Sequence, residues 1–158
     1  MEHLDHNIAA ARRRLMLALV ALPLGTASAA GKKTHVEVWK DPNCGCCKDW
    51  IAILEASEFT FKVHDTGNNP TRLRLGMPVK FGSCHTAIVG GYVIEGHVPA
   101  REIRRLLKEK PKALGLAVPG MPAGSPGMDG PAYGGRKDAY DVLLVARDGT
   151  ATVFHGYR

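Results

Sequence analysis

Apolar and polar residues alternate from His35 to Asp41, with Val36 and Val38 between polar neighbours. That period of two predicts a half-buried strand. At Cys47 the spacing changes. Cys47, Trp50, Ile51 and Leu54 fall on one face of a helix that is expected to end near Ser57. Phe59–Asp65 alternates again and predicts a second strand. Asn68 or Asn69 can cap a short helix over Thr71–Leu75, with Pro70 in its first turn. The stretch "GMPVKFGSCH" reads as a loop. Two short apolar runs around Gly90-Gly91 predict a hairpin. Pro99 opens a helix whose buried stripe is Ile103, Leu106 and Leu107, and Pro111 stops it. The order β-α-β-α-β-β-α predicts an α/β domain with a mixed sheet.

Residues 111–135 break the pattern. They are rich in Gly and Pro, carry Met121 and Met128, and are expected to form a long loop without lasting regular structure. "YDVLLVARDGTATVFHGY" then closes the chain as a hairpin over Asp148-Gly149. With no internal repeat and no second core pattern, residues 31–158 are expected to be one domain.

The first thirty residues are of another kind. Arg12, Arg13 and Arg14 precede the uncharged run "LMLALVALPL", and small residues follow at Ala27 and Ala29. This is the layout of a secretory signal peptide, with cleavage expected after Ala29 or Ala30. The apolar run is about half the length that a bilayer span needs. "RRRLM" is also a loose match to a twin-arginine signal. Cleavage removes three arginines and two acids from a chain of net charge +6, leaving +5. That mild excess, with few aromatics and no basic run, argues against a nucleic-acid partner. No membrane association is expected once the leader is gone, and export would place the domain outside the cytoplasm.

All four cysteines follow the leader, and three stand within "DPNCGCC": Cys44, Cys46 and Cys47. An even count in an exported chain usually signals disulfide staples. Here the spacing argues otherwise, because Cys44 to Cys46 or Cys47 closes too small a loop to gain much by chain entropy. Cys44 and Cys47 form a C-x-x-C pair between strand and helix. A thiol there faces unpaired N–H groups and the positive end of the helix dipole, which favour thiolate. Thiolate is the nucleophile of disulfide exchange and a ligand for soft metals such as Cu(I) or Zn(II). Thioether is a good ligand for Cu(I) and a poor one for zinc, so Met77, Met121 and Met128 tip the metal toward copper.

The arrangement resembles thioredoxin-like proteins, in which strand, C-x-x-C, helix, a later hairpin and a final helix follow in this order. "CGCCK" reads like C-G-P-C-K with Cys46 in place of proline. In such folds the loop before the hairpin lies against the C-x-x-C, and here that loop carries Cys84 and His85. More closely, "DPNCGCC", "GSCHTAIVGGYVIEGHVPA", "VPGMPAGSPGM" and "YDVLLVARDGT" are similar to the CopG-like copper-resistance family of exported bacterial proteins (domain of unknown function 411). The resemblance spans Val36 to Phe154. It implies a periplasmic thioredoxin-like domain that binds copper, as several thiolate-bridged ions or as one, with Cys44, Cys46, Cys47 and Cys84 as ligands. It also implies a role in changing copper's oxidation state and a periplasmic copper-handling or redox partner.

Alternatives stand beside this reading. As a metal-free thiol–disulfide oxidoreductase, the chain would use Cys44 to attack and Cys47 to resolve. As a chaperone it would pass copper on without redox change. On a helix Cys46 points about 100° from Cys47, toward a second ion or toward solvent. His85 can add a nitrogen ligand or bond to backbone. Met121 and Met128 are further candidate ligands. Met77 and Trp50 fit a core, His97 either approaches the cysteines or only holds a turn, with the turn favoured, and His64 and His155 fit the surface. Asp41 and Asp49 flank the cysteines and can tune a thiolate or complement the helix dipole.

Overall fold

In the computed structural model, residues 33–158 are described; the proposed leader lies outside them. Seven strands form one mixed sheet in the order β2-β1-β3-β4-β5-β6-β7. The elements are β1 Thr34–Lys40, α1 Gly45–Glu55, β2 Phe59–His64, α2 Asn69–Arg74, β3 His85–Val89, β4 Tyr92–Glu95, α3 Ala100–Glu109, β5 Gly115–Ala117, β6 Tyr140–Val145 and β7 Ala151–Tyr157. β1 pairs with β2 in parallel, as β4 does with β5, and the other pairings are antiparallel. The expected α/β mixed sheet is therefore present, with the closing hairpin as β6 and β7.

One face of the sheet packs Val36, Val38, Ala87, Val89, Ile94 and Leu116 against Trp50 and Leu54 of α1 and Ile103 and Leu106 of α3. Val93, Ala117 and Val145, whose side chains alternate to the other face, pack with Met77 and Leu114. Met77 and Trp50 are thus core residues, as their patterns suggest. Among the described residues no helix is long and apolar enough to cross a membrane.

Three local expectations need correction. α1 begins at Gly45, before the first periodic apolar residue, because Cys44 acts as its N-cap: the sulfur accepts the Cys47 backbone N–H at 3.3 Å. Asn68 precedes α2 without capping it by its side chain. Its Nδ2 instead donates to the Ser83 carbonyl at 3.1 Å and to Thr86 Oγ1 at 3.2 Å, where buried acceptors need donors. The Gly/Pro-rich span 111–135 is not loop throughout. It contributes the wholly buried β5, joined by a short 3₁₀ turn at Pro131–Tyr133. Three residues carry no legible period, and β5 is a strand because β4 and β6 pair on either side of it. Gly115 permits the pairing: a Cβ there would lie 1.7 Å from the Val93 carbonyl oxygen.

Candidate metal centre

The site forms where the first turn of α1 meets the loop entering β3. Asp41 Oδ1 accepts the Asn43 N–H at 2.8 Å, and the Asp41 carbonyl accepts that of Cys44 at 3.1 Å. This turn sets Cys44 at the helix start. One helical turn then brings Cys44 and Cys47 together, and they are joined as a disulfide with a Cα separation of 5.3 Å. The bond spans only three residues, so it adds little chain entropy.

Cys46 does not turn away to solvent. Its Sγ lies 3.5 Å from Cys44 Sγ and 3.9 Å from Cys84 Sγ. Cys47 Sγ is 3.6 Å from the Cys84 carbonyl oxygen. All four sulfurs lie within 4.8 Å of one another. The first turn of α1 carries no acid, and of its N–H groups that of Cys47 is bonded to a sulfur, Cys44 Sγ.

Cys84 is held by a buried polar network. Glu95 accepts the Ser83 N–H at 2.7 Å and Arg72 Nε at 2.9 Å on Oε1, and the Thr86 hydroxyl at 2.6 Å on Oε2. Arg72 also donates to the Ser83 carbonyl and, at 2.7 Å, to Asn69. Burial and the neighbouring Cys46 push the Cys84 thiol up to about 12. With the dithiol closed, Cys84 is therefore a thiol at neutral pH.

Two histidines complete the centre. His85 Nδ1 is 3.4 Å from Cys84 Sγ, and its ring lies 4.3 Å from that of Trp50. His97 Nε2 is 3.0 Å from the same sulfur, and its Nδ1 is 2.8 Å from the Pro126 carbonyl oxygen. Burial holds both imidazoles below their ordinary pKa, so each is neutral and keeps a lone pair. Pro126 belongs to a turn seated on α1. A Cβ on Gly127, whose φ is +82°, would lie 2.5 Å from the Cys46 carbonyl oxygen and 2.7 Å from Trp50 N.

His97, for which the pattern of the chain favoured a turn over the site, stands against Cys84. "EGHVP" offers a histidine after a strand and no cysteine beside it. The methionines are placed differently from the cysteines. Met121 is 53% exposed, next to Gly120, whose carbonyl accepts the Ser83 hydroxyl. Met128 is buried in the turn on α1, its N–H bonded to the Ser125 carbonyl at 2.8 Å. His64 pairs with Glu37 at 2.8 Å and stacks on Trp39, while His155 lies against Arg101.

A soft ion fits this donor set: sulfurs at one point, neutral imidazoles behind them and no carboxylate among the grouped ligand atoms. A family model described as "Protein of unknown function, DUF411" matches residues 81–128. Two solved structures are similar over most of the chain. "Copper resistance protein copG – Form 1" is 46% identical with a TM-score of 0.73, covering 80% of this chain and 98% of that one. Its Form 2 is 44% identical with a TM-score of 0.74, covering 80% and 100%. The chain belongs to the CopG family. No curated protein matches it by sequence. The family-model segment contains Cys84, His85, His97, Met121 and Met128 but stops short of the C-x-C-C turn. In this CopG-family chain the turn and the segment meet only through folding.

Proposed function

We propose that this CopG-family chain is an exported periplasmic copper-binding protein serving copper resistance. Residues 1–30 would be its signal peptide and residues 31–158 a single thioredoxin-like domain. The order β2-β1-β3-β4, with the C-x-x-C at the start of α1, supports that likeness. Cys44, Cys46, Cys47 and Cys84 hold Cu(I) as thiolates, and because each sulfur can bridge two ions a multinuclear cluster is favoured. The observation that carries this is the gathering of four sulfurs within 4.8 Å. Met121 and Met128 would add thioether ligands to the cysteine set, and the exposure of Met121 supports a first contact with an incoming ion.

The redox chemistry follows from the C-x-x-C couple. Closing Cys44 and Cys47 from dithiol to disulfide releases two electrons and two protons. Two Cu(II) ions take the electrons and become Cu(I), and the protons leave to water. Reduction of the disulfide by an external thiol partner resets the couple. The test is a Cu(I) titration of the reduced protein against a chromophoric chelator. Cys44→Ser and Cys84→Ser are each expected to lower the bound copper. Unchanged stoichiometry in both variants would overturn the assignment.

The Cys44–Cys47 disulfide favours a second reading, a metal-free thiol–disulfide oxidoreductase. Insulin reduction by the metal-free protein separates the two. Rapid turnover needing only Cys44 and Cys47 selects the oxidoreductase, and negligible turnover selects copper.

A further inference from the structure

We propose that a cleft at the far end of β3 from Cys84 binds an amphipathic anion. An apolar body, aromatic or acyl, sits against Tyr92 and Leu107, and an oxyanion head is held by Lys110, Lys112 and Arg147. Cys84 precedes the first residue of β3 and Gly90-Gly91 follow its last, so the sulfurs and the cleft lie at opposite ends of that strand. The site is independent of the copper reading.

The cleft encloses about 750 Å³ and is walled on its apolar side by Tyr92, Leu107, Pro111 and Ala113. That is the size of a small-molecule site. Backbone bonds hold the walls in place. The Tyr92 hydroxyl donates to the Pro111 carbonyl at 2.9 Å, which satisfies its polar tip and leaves the ring for contact. The Ala113 N–H donates to the same carbonyl at 2.9 Å, and the Leu114 N–H ties this bend to the Val145 carbonyl of β6 at 2.8 Å. A Cβ on Gly90, whose φ is +55°, would lie 2.5 Å from Leu107 Cδ2, so the β3–β4 turn closes directly on that side chain. Arg147 stands on the β6–β7 turn, which is fixed by the Ala146 N–H on the Thr150 carbonyl at 2.8 Å and the Gly149 N–H on the Ala146 carbonyl at 3.1 Å.

The charges carry the argument. Every other arginine among the described residues has a carboxylate, a carbonyl or an aromatic ring as its partner. Arg147 has none there, and Lys110 and Lys112 form no ion pair there either. The acids beside them in sequence are taken: Glu109 by Arg105 at 2.8 Å, and Asp148 by the Thr150 N–H at 2.9 Å and hydroxyl at 2.7 Å. Lys110 caps α3 with φ +50°, a left-handed conformation that glycine takes at less cost. Its charge also complements the helix C-terminus. That explains a lysine at the cap but not Lys112 and Arg147, which reach the same cleft from the bend before β5 and from the β6–β7 turn.

The ligand class follows from the two halves together. A guanidinium offers parallel N–H donors that match carboxylate, sulfonate or phosphate oxygens, and the ammonium groups add point charges. Exposed cations alone gain little from an anion in water. Apolar walls beside them add burial, so the cleft selects an anion with an apolar body over a bare one.

The experiment is a fluorescence titration of the purified protein with anilinonaphthalene sulfonate, an aromatic body with one anionic head. Saturable binding to one site is expected, with the backbone-amide NMR shifts centred on Gly90, Gly91 and Ala113. Arg147→Glu should weaken it by roughly tenfold or more, and Lys112→Glu, in a separate segment, should repeat the effect. Lys62→Glu makes the same change of net charge on β2, at the opposite edge of the sheet, and should alter binding less than about twofold. Dodecanoate should displace the dye, and inorganic phosphate should do so far less well. Shifts centred away from the cleft would overturn the site, as would an equal loss in Lys62→Glu, which marks long-range attraction only. Displacement by phosphate or by a hexaglutamate peptide as effective as that by dodecanoate would also overturn it, because the cations would then serve a bare anion or an acidic protein segment.

Discussion

Cys44, Cys46 and Cys47 are placed by a single turn of helix, whereas Cys84 is placed by a buried ionic network drawn from α2, β3 and β4. The first group needs only an Asx-type turn at Asp41 and the N-terminal geometry of α1. The second needs Arg72, Glu95, Thr86 and Asn68 at once, all withdrawn from water. A local placement is tolerant, because few groups must agree. A placement by buried charges is exacting, because removing one leaves the others unpaired in a medium of low dielectric. The cluster thus has a locally formed side, which can open and close a disulfide, and a rigid side against which it does so.

The sharpest way to break this contrast is on the rigid side. Glu95→Ala leaves the Arg72 guanidinium buried without its carboxylate and should cost about 3–5 kcal/mol in urea unfolding. Glu95→Gln keeps the shape and should cost less, about 1–3 kcal/mol. Where such a variant still folds, its Cu(I) stoichiometry should fall, since Ser83 and Cys84 lose their anchor. Full stoichiometry in a folded Glu95→Ala protein would mean that Cys84 needs no network.

Gly127→Ala comes next. Its Cβ would press on the Cys46 carbonyl at a backbone angle that L-residues seldom adopt, for a cost of about 1–3 kcal/mol. The turn should lift from α1, and hydrogen exchange at Gly124 and Met128, whose N–H groups close it, should quicken.

Cys44→Ser tests the tolerant side. Serine is a good N-cap, and the lost ring is small, so stability should stay within about 1 kcal/mol. Copper binding should drop all the same. A large loss of stability would show that the disulfide is a staple after all.

The smallest effect concerns Asp138, whose carboxylate accepts the Ala123 N–H at 3.0 Å. The Arg136 guanidinium, and then that N–H, hold its pKa below the ordinary 3.8. A depressed carboxyl contributes stability that is present above the unfolded value and lost as pH falls through the folded one. The Pro122–Met128 turn should therefore loosen below about pH 4. Limited proteolysis with an acid protease would detect this, and Asp138→Asn should already be loose at neutral pH.

Much of the architecture was legible because its signals are local. The period-two runs mark β1 and β2, the Cys47–Trp50–Ile51–Leu54 stripe marks α1, and Gly90-Gly91, Pro99 and Asp148-Gly149 mark turns and a helix start. β5 was not legible, because three residues have no period and the strand exists through its neighbours. His97 was hidden for a similar reason: its partners, Cys84 and Pro126, lie 13 and 29 residues away.

The residues in order determined that a reactive dithiol would stand at a helix start, with a third sulfur beside it and a fourth in a later loop. Helix geometry and the dipole at its first turn act within a few residues, so they can be read along the chain. Only the tertiary structure decided that Cys84 meets the others, that two imidazoles stand behind it, and which nitrogen of His97 faces the sulfur. Those outcomes depend on burying Arg72 against Glu95 and seating Gly127 on α1, and contacts between distant segments exist only once the sheet has assembled.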